Sequence, residues 1–95
     1  PGRARARTPM QWTPEENAGF TTGAPWLPIN RKFRLVNVET QSKDPHSLLH
    51  YYRALIAFRK AHGALQTGGF QFLLKDHPSL IAFERVLGNQ RVIVV

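Results

Sequence analysis

The chain has 95 residues, with 13 Lys and Arg against 6 Asp and Glu, for a formal net charge of +7. That length holds one small domain or parts of two, since domains commonly run roughly 100–150 residues, and the 42% hydrophobic content excludes wholesale disorder. With no cysteine, disulfides and thiolate metal sites are excluded and the redox compartment stays open, while no apolar run approaches the roughly 20 residues that span a bilayer.

Residues 1–40 read as loop. They hold Pro1, Pro9, Pro14, Pro25 and Pro28 together with Gly2, Gly19 and Gly23. Each proline fixes φ and removes a backbone donor, so long regular elements are not expected here. One short helical turn is expected over residues 13–16, where Thr13 caps, Pro14 suits the first helical position and Glu16 falls at the capping-box spacing. Trp12, Phe20, Trp26, Leu27, Ile29 and Phe33 give this loop apolar groups that need a surface to pack on. Trp12, Phe20 and Trp26 are therefore expected as packed core.

The next element is a helix over residues 44–61. Asp44 is a suitable N-cap and Pro45 a suitable first residue. Leu48, Tyr52, Leu55 and Ile56 repeat at i, i+4, i+7 and i+8 on one face. Arg59, Lys60 and His62 complement the dipole at the C-terminal end, and Gly63 reads as the left-handed stop. After it the period changes to two. Residues 69–74 and 80–87 read as strands joined by a turn over 75–79 that holds His77. Gly88-Asn89 reads as a tight turn, and residues 90–95 begin a third strand. This meander starts and does not finish. The opening Pro1-Gly2-Arg3 lacks a signal-peptide layout. The end falls inside Arg91-Val92-Ile93-Val94-Val95, so a piece of a longer polypeptide is expected.

The run Ala6-Arg7-Thr8-Pro9-Met10-Gln11-Trp12, followed by Asn17-Ala18-Gly19-Phe20, resembles a segment near the end of the catalytic barrel in α-glucosidases of glycoside hydrolase family 13, the α-amylase superfamily. That group includes oligo-1,6-glucosidases, trehalose synthases and sucrose isomerases. The resemblance extends through Pro25-Trp26-Leu27-Pro28-Ile29-Asn30, Val36-Asn37-Val38-Glu39, and the helix residues Tyr51-Tyr52-Arg53, Leu55-Ile56 and Arg59-Lys60. It implies an α+β fragment of a (β/α)8 barrel protein. Residues 1–63 would supply the substrate-side loop and last helix of the barrel. Residues 64–95 would supply the first strands of the all-β domain that follows. A whole barrel needs about 250 residues and cannot fit.

The implied activity is cleavage or transfer at an α-glucosidic bond, by two displacements through a covalent glucosyl-enzyme intermediate. Such chemistry needs a carboxylate nucleophile and a carboxylic acid about 5–5.5 Å apart. The acids present are Glu15, Glu16, Glu39, Asp44, Asp76 and Glu84. Glu15 and Glu16 are adjacent and diverge by about 100° on a helical turn. Asp44 is taken as a cap, Asp76 lies in a turn, and Glu84 sits on a strand facing solvent or a partner. In the family the catalytic acids lie on earlier barrel strands. No catalytic residue is assigned, and the isolated chain is expected to be inactive.

Arg7 is the one substrate-binding candidate. The resemblance places this arginine at the floor of the sugar pocket, where its five fixed donors can bridge hydroxyls and a carboxylate. Without the resemblance it reads as a surface charge. Many relatives read Arg-Asp-Asn-Ala-Arg where this chain has Arg3-Ala4-Arg5-Ala6-Arg7, so the acidic neighbour is missing. His46 and His50 stand four apart on the expected helix, a metal-compatible spacing, but no third ligand is near and both read as surface. No cofactor or metal is expected.

The expected partner is an α-glucoside oligosaccharide, with no membrane and no nucleic acid. The basic residues are scattered, and the run at residues 3–7 has no interleaved aromatics. The open apolar edge of the unfinished sheet is a surface on which a second copy could pair. A cytoplasmic location is expected. Two alternatives stand beside this reading: a non-catalytic relative such as the heavy subunit of an amino-acid transporter, and a basic nucleic-acid-binding module.

Overall fold

A computed structural model describes residues 6–95. The chain divides into two compact units, Pro1–Tyr52 and Arg53–Val95. In the first unit the loop character expected from the prolines is present, with a 3₁₀ turn at Glu16–Gly19 and a helix, α1, at Val38–Lys43 ahead of the long helix. The turn starts later than the capping residues suggested. Thr13 Oγ1 accepts the Glu15 N–H at 3.3 Å, a local bond that competes with helix rather than capping it.

Helix α1 was not expected. Asn37 sets its start: the backbone there is extended, and Oδ1 accepts the Thr40 N–H at 2.8 Å. The other half of the same amide donates from Nδ2 to the Phe33 carbonyl at 2.8 Å. Both functions of a side chain only 3% exposed are thus satisfied. Glu39 in the first turn and Lys43 in the last suit the helix dipole and pair at 2.7 Å.

The long helix, α2, spans Leu48–Ala61, so it begins four residues beyond the expected Asp44. Asp44 instead follows α1 with φ −102° and ψ 109°. Its carboxylate accepts the His46 N–H at 2.9 Å. Ser47 takes over as cap: Oγ accepts the His50 N–H at 3.4 Å, and its carbonyl accepts the Tyr51 N–H at 3.1 Å. Gln41 anchors this start from α1. Its Oε1 accepts the Leu49 N–H at 2.9 Å, and its carbonyl accepts the Ser47 hydroxyl at 2.7 Å.

In the second unit α2 ends at an extended His62, and a short helix α3 follows at once, Gly63–Thr67. Gly63 is therefore not a left-handed stop. It is small because a Cβ there would lie 3.1 Å from Leu87 Cδ2. The carbonyls freed at the break are satisfied by side chains. His62 Nδ1 bonds the Phe58 carbonyl at 2.7 Å, and Gln66 Nε2 donates to the Lys60 carbonyl at 3.0 Å.

Three strands, β1 (Gly69–Leu73), β2 (Ala82–Leu87) and β3 (Gln90–Val94), form an antiparallel sheet in the order β1-β2-β3. The meander is as expected, with β2 starting two residues later. Phe72 faces Phe83 across β1 and β2, and Glu84 faces Ile93 across β2 and β3. Gly88, at φ +56°, occupies the two-residue loop between Leu87 and Gln90, the conformation such hairpins require of one central residue. Helix α3 lies on β2 and β3, where Gln90 Oε1 accepts the Ala64 N–H at 2.7 Å.

The buried apolar residues are small. Ala18, Ala64 and Ala82 are enclosed, and among the described residues no large side chain is fully buried. Trp12, Phe20 and Trp26 were expected as packed core. They are 47%, 43% and 73% exposed instead, because no second layer covers them among the described residues. The apolar face of α2 formed by Leu48, Tyr52, Leu55 and Ile56 is likewise exposed.

Candidate functional site

The segment from Arg7 to Phe20 is a loop whose middle is held by backbone hydrogen bonds on two sides. On one side stands the entry to α1. The Val38 N–H donates to the Gln11 carbonyl at 3.0 Å, and the Glu39 N–H donates to the Trp12 carbonyl at 2.9 Å. Gln11 Nε2 also donates to the Val36 carbonyl. On the other side stands the turn at Glu16–Gly19. Its Ala18 carbonyl accepts two bonds, from the Trp12 N–H at 2.9 Å and the Thr13 N–H at 3.0 Å. Residues 11–13 are therefore fixed at each backbone position without belonging to a sheet.

That turn has an uncommon backbone. Asn17, Ala18 and Gly19 are all left-handed, with φ of 52°, 55° and 65°. Asn and Gly visit this region with little strain, whereas Ala does so at a cost of about 1–2 kcal/mol. The conformation is held by the Asn17 side chain, which donates to the Gly23 carbonyl at 3.2 Å, and by complete burial of Ala18.

Arg7 leads out of this anchored stretch. It is exposed and makes no hydrogen bond or ion pair among the described residues. Pro9, between it and the anchor, is buried. Met10 and Trp12 are about half exposed. A guanidinium with uncommitted donors can take hydroxyl-rich ligands, because its five N–H groups bond oxygens in a fixed fork. The run at residues 3–5 lies outside the described residues.

Three of the six acids have partners within the chain. Glu39 is engaged with Lys43, Asp44 with a backbone N–H, and Glu84 with Arg91 across β2 and β3. Glu15, Glu16 and Asp76 are exposed. His50 Nε2 bonds the Ser42 carbonyl at 3.1 Å, and no group of three metal-ligating side chains occurs among the described residues. No helix among them is long and apolar enough to cross a membrane.

The family model for the alpha amylase catalytic domain matches residues 1–68. This chain belongs to the α-amylase family. The curated relatives it resembles include the oligo-1,6-glucosidase of Parageobacillus thermoglucosidasius, 46% identical over 99% of this chain and 17% of the relative. The trehalose-6-phosphate hydrolase of Bacillus subtilis is 37% identical over 98% of this chain and 17% of its own length. Among solved structures, the trehalulose synthase MutB from Pseudomonas mesoacidophila superposes with a TM-score of 0.91 at 36% identity, covering 96% of this chain and 16% of that one. An isomaltulose synthase variant from Erwinia rhapontici, solved with sucrose, gives 0.88 at 41% identity over 96% of this chain and 16% of that one. The α-amylase-family chain thus spans about one sixth of the relatives it matches. Its likeness to a fragment of a barrel protein is consistent with an α+β piece, and neither a transporter subunit nor a nucleic-acid module is favoured.

Two functional features were not read from the sequence: the left-handed turn and the double use of Asn37. The signal for the first was present in Asn17-Ala18-Gly19, where two of the three residue types tolerate positive φ. Asn37 carried a local signal too, since Asn is a preferred N-cap and both of its partners, Phe33 and Thr40, lie within four residues of it.

Proposed function

We propose that this chain is part of a retaining glycoside hydrolase acting on α-glucosidic bonds of oligosaccharides, and that Arg7 binds the sugar. The observation that carries this reading is an exposed Arg7, with no partner among the described residues, projecting from a backbone-anchored loop. The identities to α-glucoside-acting relatives over almost the whole chain support it. The catalytic carboxylates would come from other parts of the full-length protein. Residues 1–63 would close the barrel and residues 64–95 would open the following β-domain, a division supported by the family model's ending at residue 68. A cytoplasmic location goes with this reading and is tested by cell fractionation.

The test replaces Arg7 in the full-length protein. A hydrogen bond from a charged donor contributes about 1.5–3 kcal/mol, so Arg7→Ala is expected to lower kcat/KM for an α-glucoside by about ten- to a hundredfold. Arg7→Lys retains the charge and loses the planar fork, so it should recover only part of the loss. Unchanged kcat/KM in both variants would remove Arg7 from the site. Self-association through β3 is proposed on its exposed Ile93 and Val94. Sedimentation giving a monomer at every concentration would dismiss it.

A further inference from the structure

We propose that the left-handed turn at residues 17–19 is the positioning element of the Arg7 site, with Ala18 as its key residue. The inference rests on the reading of Arg7 as a sugar-binding group and extends it to how that group is placed. Arg7 has no side-chain partner among the described residues, so its place follows from the backbone that carries it. That backbone is fixed at residues 11–13, and the Ala18 carbonyl supplies the bonds to both Trp12 and Thr13.

Consecutive left-handed residues allow one carbonyl to meet two successive N–H groups. They turn the chain back within three residues, so the Ala18 oxygen faces the Trp12–Thr13 backbone. The turn is also seated on Thr13 itself: a Cβ added at Gly19 would lie 2.6 Å from Thr13 Oγ1 and 3.1 Å from Cγ2. Ala18 has no exposed surface, so nothing larger enters without moving this seat. Backbone strain held in place by its surroundings is a recurrent property of sites that must be pre-shaped, and the strained alanine bonds Trp12 and Thr13, in the stretch that follows Arg7 in the chain. Ala18 touches no substrate in this account. It acts through residues 11–13 and is a positioning residue.

The experiment compares Ala18→Gly, which accepts the left-handed backbone, with Ala18→Val, whose branched Cβ opposes it. Both are made in the full-length protein and assayed with p-nitrophenyl α-glucoside alongside hydrogen exchange at Trp12 and Thr13. Ala18→Val is expected to expose both amides to exchange and to raise KM about tenfold with kcat changed less than about threefold, as for a displaced binding group. Ala18→Gly is expected to keep both amides protected and KM within about twofold of the parent. Gly19→Ala, which strains a left-handed position at φ +65° and sets a Cβ against the rotatable Thr13 side chain, gives the milder form of the same shift and serves if Ala18→Val does not fold.

Retained protection in Ala18→Val, or lost protection with unchanged KM, overturns the inference and leaves the Arg7 reading standing. A parent protein without α-glucoside turnover overturns both. A fall in kcat with unchanged KM refutes positioning through Arg7.

Discussion

Asn37→Ala tests whether one buried amide organises the entry to α1. Two bonds are lost in this variant, from Thr40 N–H to Oδ1 and from Nδ2 to the Phe33 carbonyl, each 2.8 Å long. Loss of an N-cap acceptor costs about 0.5–2 kcal/mol. A carbonyl left without its donor in a part-buried setting adds about 1–2 kcal/mol. The sum is about 1.5–4 kcal/mol, and each 1.4 kcal/mol is a factor of ten in the opening equilibrium. Amide exchange at Thr40 should therefore accelerate by about ten- to a thousandfold, if the local opening governs it.

Asn37→Asp separates the two bonds. It keeps an acceptor for Thr40 and sets a carboxylate oxygen against the Phe33 carbonyl, so it should be destabilised with the cap still formed. Because Val36 and Val38 flank this residue and both bond Gln11, exchange at Val38 should rise with that at Thr40. Protection at Thr40 in Asn37→Ala equal to that of the parent would show that the cap does not hold α1.

Other perturbations give contrasting results. Gly68→Ala would place a Cβ on the Ala64 carbonyl and 2.8 Å from the Val86 carbonyl, both backbone atoms. A loss of about 3 kcal/mol or more in urea unfolding is expected, and a small loss would mean that the α3–β1 joint yields. Lys43→Ala removes an ion pair whose partners are 74% and 45% exposed. Its effect should stay below about 0.5 kcal/mol and shrink further in salt; a larger effect in the same unfolding assay would show the pair is structural. The isolated 95-residue chain should release no glucose from an α-glucoside, since Glu39, Asp44 and Glu84 are engaged within the chain and the catalytic carboxylates are expected elsewhere in the full-length protein. Release that tracks its concentration would contradict this.

Where local rules and global packing agreed, the sequence was legible. The strands follow from alternation and β-branched content, and the hairpin at Gly88 from a residue that adopts φ +56° without strain. His77 was readable as a turn residue, and its Nδ1 accepts the Ser79 and Leu80 N–H groups at 3.2 and 3.0 Å. The helix start was not legible. Asp44 and Pro45 form a valid local cap, but Gln41 offers both its carbonyl and its amide oxygen to residues 47 and 49. Those bonds move the first turn onward and leave Asp44 to bond His46. Gly63 misled in the same way, because glycine serves either positive φ or close approach, and only the position of Leu87 selects the second.

By itself, then, the amino-acid order determined the family likeness and the helix-then-meander sequence of elements. These depend on residue identity and on spacing within a few positions. Tertiary structure alone decided that Ala18 is buried in a left-handed turn and that residues 11–13 are clamped on both sides. Each of those depends on a carbonyl or amide brought into range by the return of the chain, and composition and period do not record such a return.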